Sequence, residues 1–106
     1  MKSIFIADKT RPEVAIPLAR KLGLGIELQA FYKPSMFDEE GIVERHRKLL
    51  EGFTGGRAMH GPFIDFSYVS VDRNVREYAR MRMQKAWDMA VELGVTHMVY
   101  HYGYIP

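Results

Sequence analysis

The sequence contains no cysteine and no hydrophobic run long enough to cross a membrane. Without cysteine, disulfides and thiolate metal sites are excluded, so a metal site has to use histidine, aspartate or glutamate. A transmembrane helix needs about 20 consecutive apolar residues. Residues 1–4 are too short, and too soon interrupted, for a signal peptide. We therefore expect a cytoplasmic protein that has no membrane partner.

An excess of charge of one sign is also missing. The chain has 15 lysines and arginines against 13 aspartates and glutamates, for a formal net charge of +2. The basic residues are spread over the predicted helices, so nucleic acid is not an expected partner. The 106 residues are 47% hydrophobic and contain no low-complexity linker. This predicts a single domain over residues 1–106.

Short apolar runs alternate with amphipathic segments along the chain. We predict strands at Ile4–Ile6, Gly25–Gln29, Arg57–His60 and Thr96–His101. We predict helices from Thr10 to Leu22, from about Phe37 to Glu51 and from near Asp72 to Leu93. Glycines Gly23, Gly52 and Gly94 then follow the three helices, which is typical of left-handed C-caps.

The first helix has its own sequence signals. Residues 10–13 (Thr-Arg-Pro-Glu) fit a capping box with proline in the first turn. Val14, Leu18 and Leu22 recur every four residues, which predicts a stripe that faces the core. Pro17 is expected to bend or shorten the helix.

The alternating order of elements predicts an α/β fold built from right-handed parallel crossovers. Every predicted strand is short, which favours a tilted barrel over a broad open sheet. We therefore predict a partial (β/α)8 TIM barrel with four parallel strands and three helices.

Two histidines close apolar runs near glycines, His60 just before Gly61 and His101 two residues before Gly103. If both runs are parallel strands, the two imidazoles emerge at the same edge of one sheet, where α/β proteins place their chemistry. One such histidine is more often a hydrogen-bonded boundary residue, but a pair at equivalent positions favours a site. His97 lies at the opposite end of its strand and His46 lies on an apolar helix stripe, so we predict structural roles for both.

Strand alternation groups other polar residues with these histidines. Glu27 and Gln29 share the face of the sheet on which we expect His60 and His101. Polar groups at that depth have to be hydrogen-bonded or functional. Asp65 is the one acid in the aromatic loop 61–70, where it either caps a turn or reaches the pocket.

Four segments together resemble the xylose isomerase-like superfamily of (β/α)8 barrels, which includes sugar-phosphate isomerases and epimerases and endonuclease IV. They are residues 4–8, 24–29, 59–63 and 99–104, and His60-Gly61-Pro62 and His101 are the specific parts. The resemblance implies that His60 and His101 bind a divalent metal and that Glu27 and Gln29 line the pocket. We predict that Glu27 is catalytic and that Gln29 and Asp65 contact substrate.

In that superfamily most metal-binding carboxylates and acid–base residues come from later strands, so this chain resembles the N-terminal half. The leading hypothesis is a sugar or sugar-phosphate isomerase or epimerase assisted by Mn²⁺, Mg²⁺, Co²⁺ or Zn²⁺, of which this half is inactive alone. The alternatives are a non-catalytic half-barrel that self-associates and an endonuclease IV-like zinc phosphodiesterase. The expected partners are a sugar or sugar phosphate, and either a second copy or a complementary C-terminal half.

Overall fold

Four parallel strands form the sheet on which the helices pack. The structure is a computed structural model that describes residues 4–64, 66–101 and 103–104. Its elements in chain order are β1 (Phe5–Ala7), α1 (Pro12–Leu22), β2 (Gly25–Leu28), α2 (Pro34–Phe37), α3 (Ile42–Leu49), β3 (Arg57–His60), β4 (Phe66–Ser67), α4 (Arg73–Glu92), β5 (His97–Val99) and β6 (Gly103–Tyr104). The parallel sheet has the order β1-β2-β3-β5, and β4 pairs with β6 as a separate antiparallel ladder.

This architecture confirms the predicted α/β fold with a partial barrel of four parallel strands. The core lies between the sheet and the helices, where Ile26, Leu28 and Met59 pack on Ile16 and Leu93. These five side chains are almost completely buried. Within the described residues, no helix is both long enough and apolar enough to span a bilayer.

The start of α1 differs from the prediction. Thr10 has φ +64°, in the left-handed region, whereas an N-cap residue takes extended backbone. The N-cap position falls on Arg11, which makes no side-chain capping bond, and the helix begins at Pro12. The predicted capping box is therefore wrong. Pro17 does not end the helix, which continues to Leu22.

The predicted core stripe of α1 is wrong as well. Val14, Leu18 and Leu22 are 52%, 46% and 56% exposed, and the buried face carries the smaller Ala15 and Ala19 instead. Period alone identifies an apolar stripe without telling which neighbour covers it.

The second predicted helix is two helices. Gly41 stands at the N-cap of α3 with φ +77°, a conformation that interrupts a continuous helix. Phe37 therefore belongs to the short α2, and α3 starts only at Ile42. In α4, the longest helix, the buried residues are Ala79, Ala86 and Ala90. The predicted loop 61–70 contains the short strand β4.

Register places the candidate residues in rows on the face of the sheet opposite the helices, here called the inner face. Ala7, Glu27, Ala58 and His97 are paired across the four strands and form one row. His60 pairs with Val99 in the next row, toward the carboxyl ends of the strands. We call this end of the sheet the rim.

Candidate functional site

A cleft of about 380 Å³ opens at the rim. It is lined by Lys9, Thr10, Gln29, Tyr32, His60 and Phe63. These residues lie at or beyond the carboxyl ends of β1, β2 and β3, where parallel α/β folds bind their ligands. One wall is polar and the other is aromatic, because Tyr32 and Phe63 lie with their ring centroids 6.1 Å apart.

The two predicted metal ligands come together beside this cleft. The ring centroids of His60 and His101 are 5.2 Å apart. The Phe63 ring contacts both, with centroid distances of 5.2 Å to His60 and 4.6 Å to His101. Phe63 therefore packs against both imidazoles.

A backbone carbonyl sets the orientation of His60. Its Nδ1 lies 2.8 Å from the Gly61 oxygen, and a carbonyl oxygen can only accept a hydrogen bond. Nδ1 is therefore the donor, and in the neutral ring Nε2 keeps the lone pair that binds metals. Position 61 favours glycine, because a Cβ there would lie only 3.3 Å from the Met98 sulfur and 3.3 Å from Tyr100 Cβ.

Gln29 and Glu27 occupy different positions relative to the cleft. Gln29 lines it, and its Nε2 donates to Glu27 Oε1 at 3.0 Å. Glu27 is half-buried in the row below and is not one of the described residues that line the cleft. Asp65 lies outside the described residues. Within the described chain, no group of three or more potential metal ligands is assembled.

Asp8 is a buried acid that the sequence did not mark as functional. Its side chain is 3% exposed, and its Oδ1 accepts hydrogen bonds from the backbone N–H groups of Thr10 (2.8 Å) and Gln29 (3.0 Å). Burial raises the pKa of the Asp8 carboxyl, and these two hydrogen bonds oppose that rise. Asp8 thus joins the end of β1 to the end of β2 directly behind the cleft.

His46 is fully buried in α3, as its position on the apolar stripe predicted. Its Nδ1 bonds the Ile42 carbonyl at 2.8 Å, and its ring packs against Phe31 with centroids 5.3 Å apart. Burial lowers the pKa of His46 below its ordinary value of 6.5, although the hydrogen bond to Ile42 opposes this. His46 therefore has a packing role, and its lowered pKa makes the folding free energy depend on pH.

The folding free energy is expected to depend on pH through His46. Its pKa is lower in the folded state, so the unfolded chain binds the proton more readily, and stability falls as pH drops below about 6.5. The slope is at most about 1.4 kcal/mol per pH unit for one group. Urea denaturation of wild type and His46→Phe between pH 5 and 8 measures it, with His97→Ala as the exposed control. If the free energy of unfolding of His46→Phe depends on pH as steeply as that of wild type, this assignment is wrong.

Sequence reasoning missed Tyr32, Phe63, Lys9 and Thr10 as lining residues. Tyr32 and Phe63 each follow a strand end by three or four residues, and that position was the one available signal. The left-handed conformation of Lys9 and Thr10 has no sequence signature, because it involves no glycine.

Two solved structures share this architecture. The TTHB071 protein of Thermus thermophilus, from a crystal soaked with ZnCl2, is 29% identical, matches 96% of this chain and has a TM-score of 0.73. A D-tagatose 3-epimerase-like protein is 17% identical, matches 99% of this chain and has a TM-score of 0.74. The chain shares their fold. It spans 39% of the length of each of them. No protein-family model and no curated protein matches it.

Proposed function

We propose that this chain supplies the first four strands of a metal-assisted sugar or sugar-phosphate isomerase or epimerase of the xylose isomerase-like superfamily. The observation that carries the proposal is the convergence of His60 and His101 at the rim, with ring centroids 5.2 Å apart. The fold likeness to a D-tagatose 3-epimerase-like protein supports a carbohydrate enzyme of this kind.

The two imidazoles fit a divalent cation in part. His60 has its Nε2 available, because Nδ1 donates to the Gly61 carbonyl. Imidazole ligands suit Zn²⁺ and Co²⁺ better than Mg²⁺, and the related T. thermophilus crystal was soaked with ZnCl2. A catalytic zinc normally has three protein ligands. His60 and His101 would supply two, and the remaining part of the barrel would supply the others.

A bound cation would polarise the carbonyl group of the sugar. The side chains of this chain bind and orient the substrate beside it: Tyr32 and Phe63 offer apolar rings to the C–H groups, and Gln29 offers an amide to the hydroxyls. Glu27, hydrogen-bonded to Gln29, is the carboxylate we assign to proton transfer. Asp65 remains our second candidate for a substrate contact.

The cations at the cleft favour the phosphorylated form of the substrate. Lys9 lines the cleft, and Lys33 Nζ lies 5.4 Å from the centroid of the Tyr32 ring. No carboxylate is among the described lining residues. An anionic group held at this end would therefore meet the positive charge of Lys9.

Incorporation of deuterium from D₂O next to the sugar carbonyl tests the proposed reaction. Ketoses and their phosphates are incubated with Zn²⁺ or Co²⁺ and this chain, alone and together with the strands that complete the barrel. We expect exchange only in the completed barrel and its loss in His60→Ala and Glu27→Gln. A duplex with an abasic site tests the phosphodiesterase alternative. Cleavage of that duplex without sugar exchange would overturn the proposal.

Both edges of the described sheet lack a neighbouring strand, and this supports a partner that completes the barrel. β1 and β5 are each paired on one side only within the described residues. Arg20 of α1 bonds carbonyls at the end of α3, and Leu18 lies roughly 160° around the helix from Arg20. The exposed stripe of Val14, Leu18 and Leu22 therefore points away from α3, toward the free side of β1.

A second surface that exposes apolar side chains lies beside the other edge. A groove of about 730 Å³ runs between α4 and β5; its lining includes Trp87, Met83, Met98 and Tyr100, together with the charged Arg76, Glu77 and Arg80. The Trp87 side chain is 55% exposed. It lies on the flank of α4 opposite Arg82, and Arg82 forms an ion pair with Asp38, the C-cap residue of α2. Such surfaces mark interfaces. We assign them to a second copy or to a complementary C-terminal half.

Charged substitutions in these surfaces are expected to prevent association. The wild-type chain should sediment as an oligomer at tens of micromolar, and Leu18→Glu or Trp87→Glu should shift it to monomer. Met81→Glu is the control, because Met81 is 58% exposed on the solvent face of α4, away from the groove. A folded wild-type monomer at this concentration would exclude the second copy as partner, and the complementary half would remain.

A further inference from the structure

The turn between β1 and α1 holds an unfavourable backbone conformation. Lys9 and Thr10 have φ values of +49° and +64°, and they are the positive-φ residues other than glycine in the described chain. Left-handed backbone is uncommon for such residues, above all for a β-branched residue such as threonine. Conformations of this kind persist where surrounding contacts hold them, and they cluster at functional sites.

Asp8 provides the contacts that hold this turn. Its Oδ1 accepts from Thr10 N–H at 2.8 Å and from Gln29 N–H at 3.0 Å, so one oxygen ties the turn to the end of β2. The Asp8 N–H donates to the Glu27 carbonyl, and its own carbonyl accepts from Arg11 N–H. Lys9 N–H then donates to Gln29 Oε1 at 3.1 Å. These bonds form a closed network in which Asp8 is the most buried member.

The network determines where the polar wall of the cleft stands. Lys9, Thr10 and Gln29 are lining residues, and each is bonded to Asp8 or to a residue that Asp8 holds. Asp8 itself is not among the described lining residues, and its hydrogen bonds run to the turn and to β2 rather than to the candidate metal pair. It acts through other residues.

We propose that Asp8 is the positioning residue of the rim cleft, which fixes the left-handed Lys9–Thr10 turn and the Gln29 side chain against the ligand. The proposal rests on the proposed function only in the assumption that the ligand is a sugar. The buried carboxylate has one oxygen, Oδ2, without a hydrogen-bond partner in the described structure, so its bonding is concentrated in Oδ1 and the turn.

The test uses amide hydrogen exchange, which requires neither metal nor sugar. Asp8→Ala should lower the protection of the Thr10 and Gln29 amides at least 10-fold, while the Arg45 amide inside α3 stays within twofold. Asp8→Asn, which keeps an oxygen acceptor, should retain most of the protection. A loss spread evenly over the sheet, or no loss at Thr10 and Gln29, would overturn the proposal.

A rescue experiment separates positioning from general stabilisation. Asp8→Ala should also lower the protection of the Lys9 amide, which donates to Gln29 Oε1. Glycine adopts positive φ without steric cost, so Asp8→Ala combined with Thr10→Gly should regain protection at the Lys9 amide. Asp8→Ala with Thr54→Gly is the matched control and should regain none. Equal recovery in both double variants would overturn the proposal.

If Asp8→Ala does not fold, Asp8→Asn carries the test. Replacing a charged acceptor by a neutral one weakens the bonds from Thr10 and Gln29, so their amide proton shifts should move upfield more than any others. Shifts that move equally across the chain would contradict the assignment. If these amide shifts do not move as predicted, the proposed sugar reaction is not contradicted. If the sugar reaction is not observed, the same amide shifts are still expected in Asp8→Asn.

Discussion

Replacement of His60 by alanine is expected to lower Co²⁺ affinity at the rim by at least ~10-fold, because it removes one of two converging ligands and the site keeps a single imidazole. His101→Ala should have a similar effect. The bond from Nδ1 to the Gly61 carbonyl orients the His60 ring so that Nε2 can bind the metal. Glutamine has no imidazole nitrogen, so His60→Gln should bind Co²⁺ as weakly as His60→Ala. Calorimetric titration with Co²⁺ at pH 7.5 measures each change.

His97→Ala is the matched control for this experiment. His97 lies on the inner face one row deeper than His60, and its ring centroid is 6.4 Å from that of Phe5. Its Nδ1 lies 2.8 Å from the Thr96 hydroxyl oxygen. If His97→Ala lowers Co²⁺ affinity as much as His60→Ala, the ion binds outside the rim and the proposed metal pair is wrong.

Replacement of Arg57 by alanine is expected to lower the free energy of unfolding by about 2–4 kcal/mol. The Arg57 guanidinium donates to the Leu93 carbonyl at 2.8 Å and to the Phe53 carbonyl at 2.9 Å, with a longer bond to Leu50 at 3.3 Å. Leu50 and Leu93 are the C-cap residues of α3 and α4. One side chain at the start of β3 therefore satisfies the ends of two helices.

Urea denaturation of Arg57→Ala, Arg57→Met and Arg80→Ala separates the contributions. Arg57→Met keeps much of the aliphatic bulk and should lose nearly as much stability, since the hydrogen bonds carry the effect. The Arg80 side chain is 77% exposed and pairs with Glu77, so its loss should cost less than about 0.5 kcal/mol. A cost for Arg57→Ala no larger than that for Arg80→Ala would show that solvent satisfies the helix ends.

The strands were predictable because their signals are local. Arg57–His60 is bounded by glycines on both sides, and the structure places β3 over those residues. Once four such runs alternate with helices, parallel pairing of successive strands is expected from chain connectivity, and the structure has the order β1-β2-β3-β5. The inner-face placement of Glu27 follows from alternation alone.

The rest depended on information that a single sequence does not contain. The Val14, Leu18 and Leu22 stripe has the period of a core face, but Ala15, Ile16 and Ala19 fill the space against the sheet. The aspartate at position 8 was a plain loop acid in sequence, and its importance arises from Gln29, 21 residues away. Tertiary hydrogen bonds over such distances have no local pattern.

The most direct test of the central claim is a crystal structure of this chain soaked with ZnCl2, with diffraction measured on both sides of the zinc absorption edge. We predict an anomalous peak at the rim, about 2.0–2.1 Å from His60 Nε2 and from one nitrogen of His101. A crystal in which zinc is bound only elsewhere, or in which the two imidazoles point apart, would contradict the account.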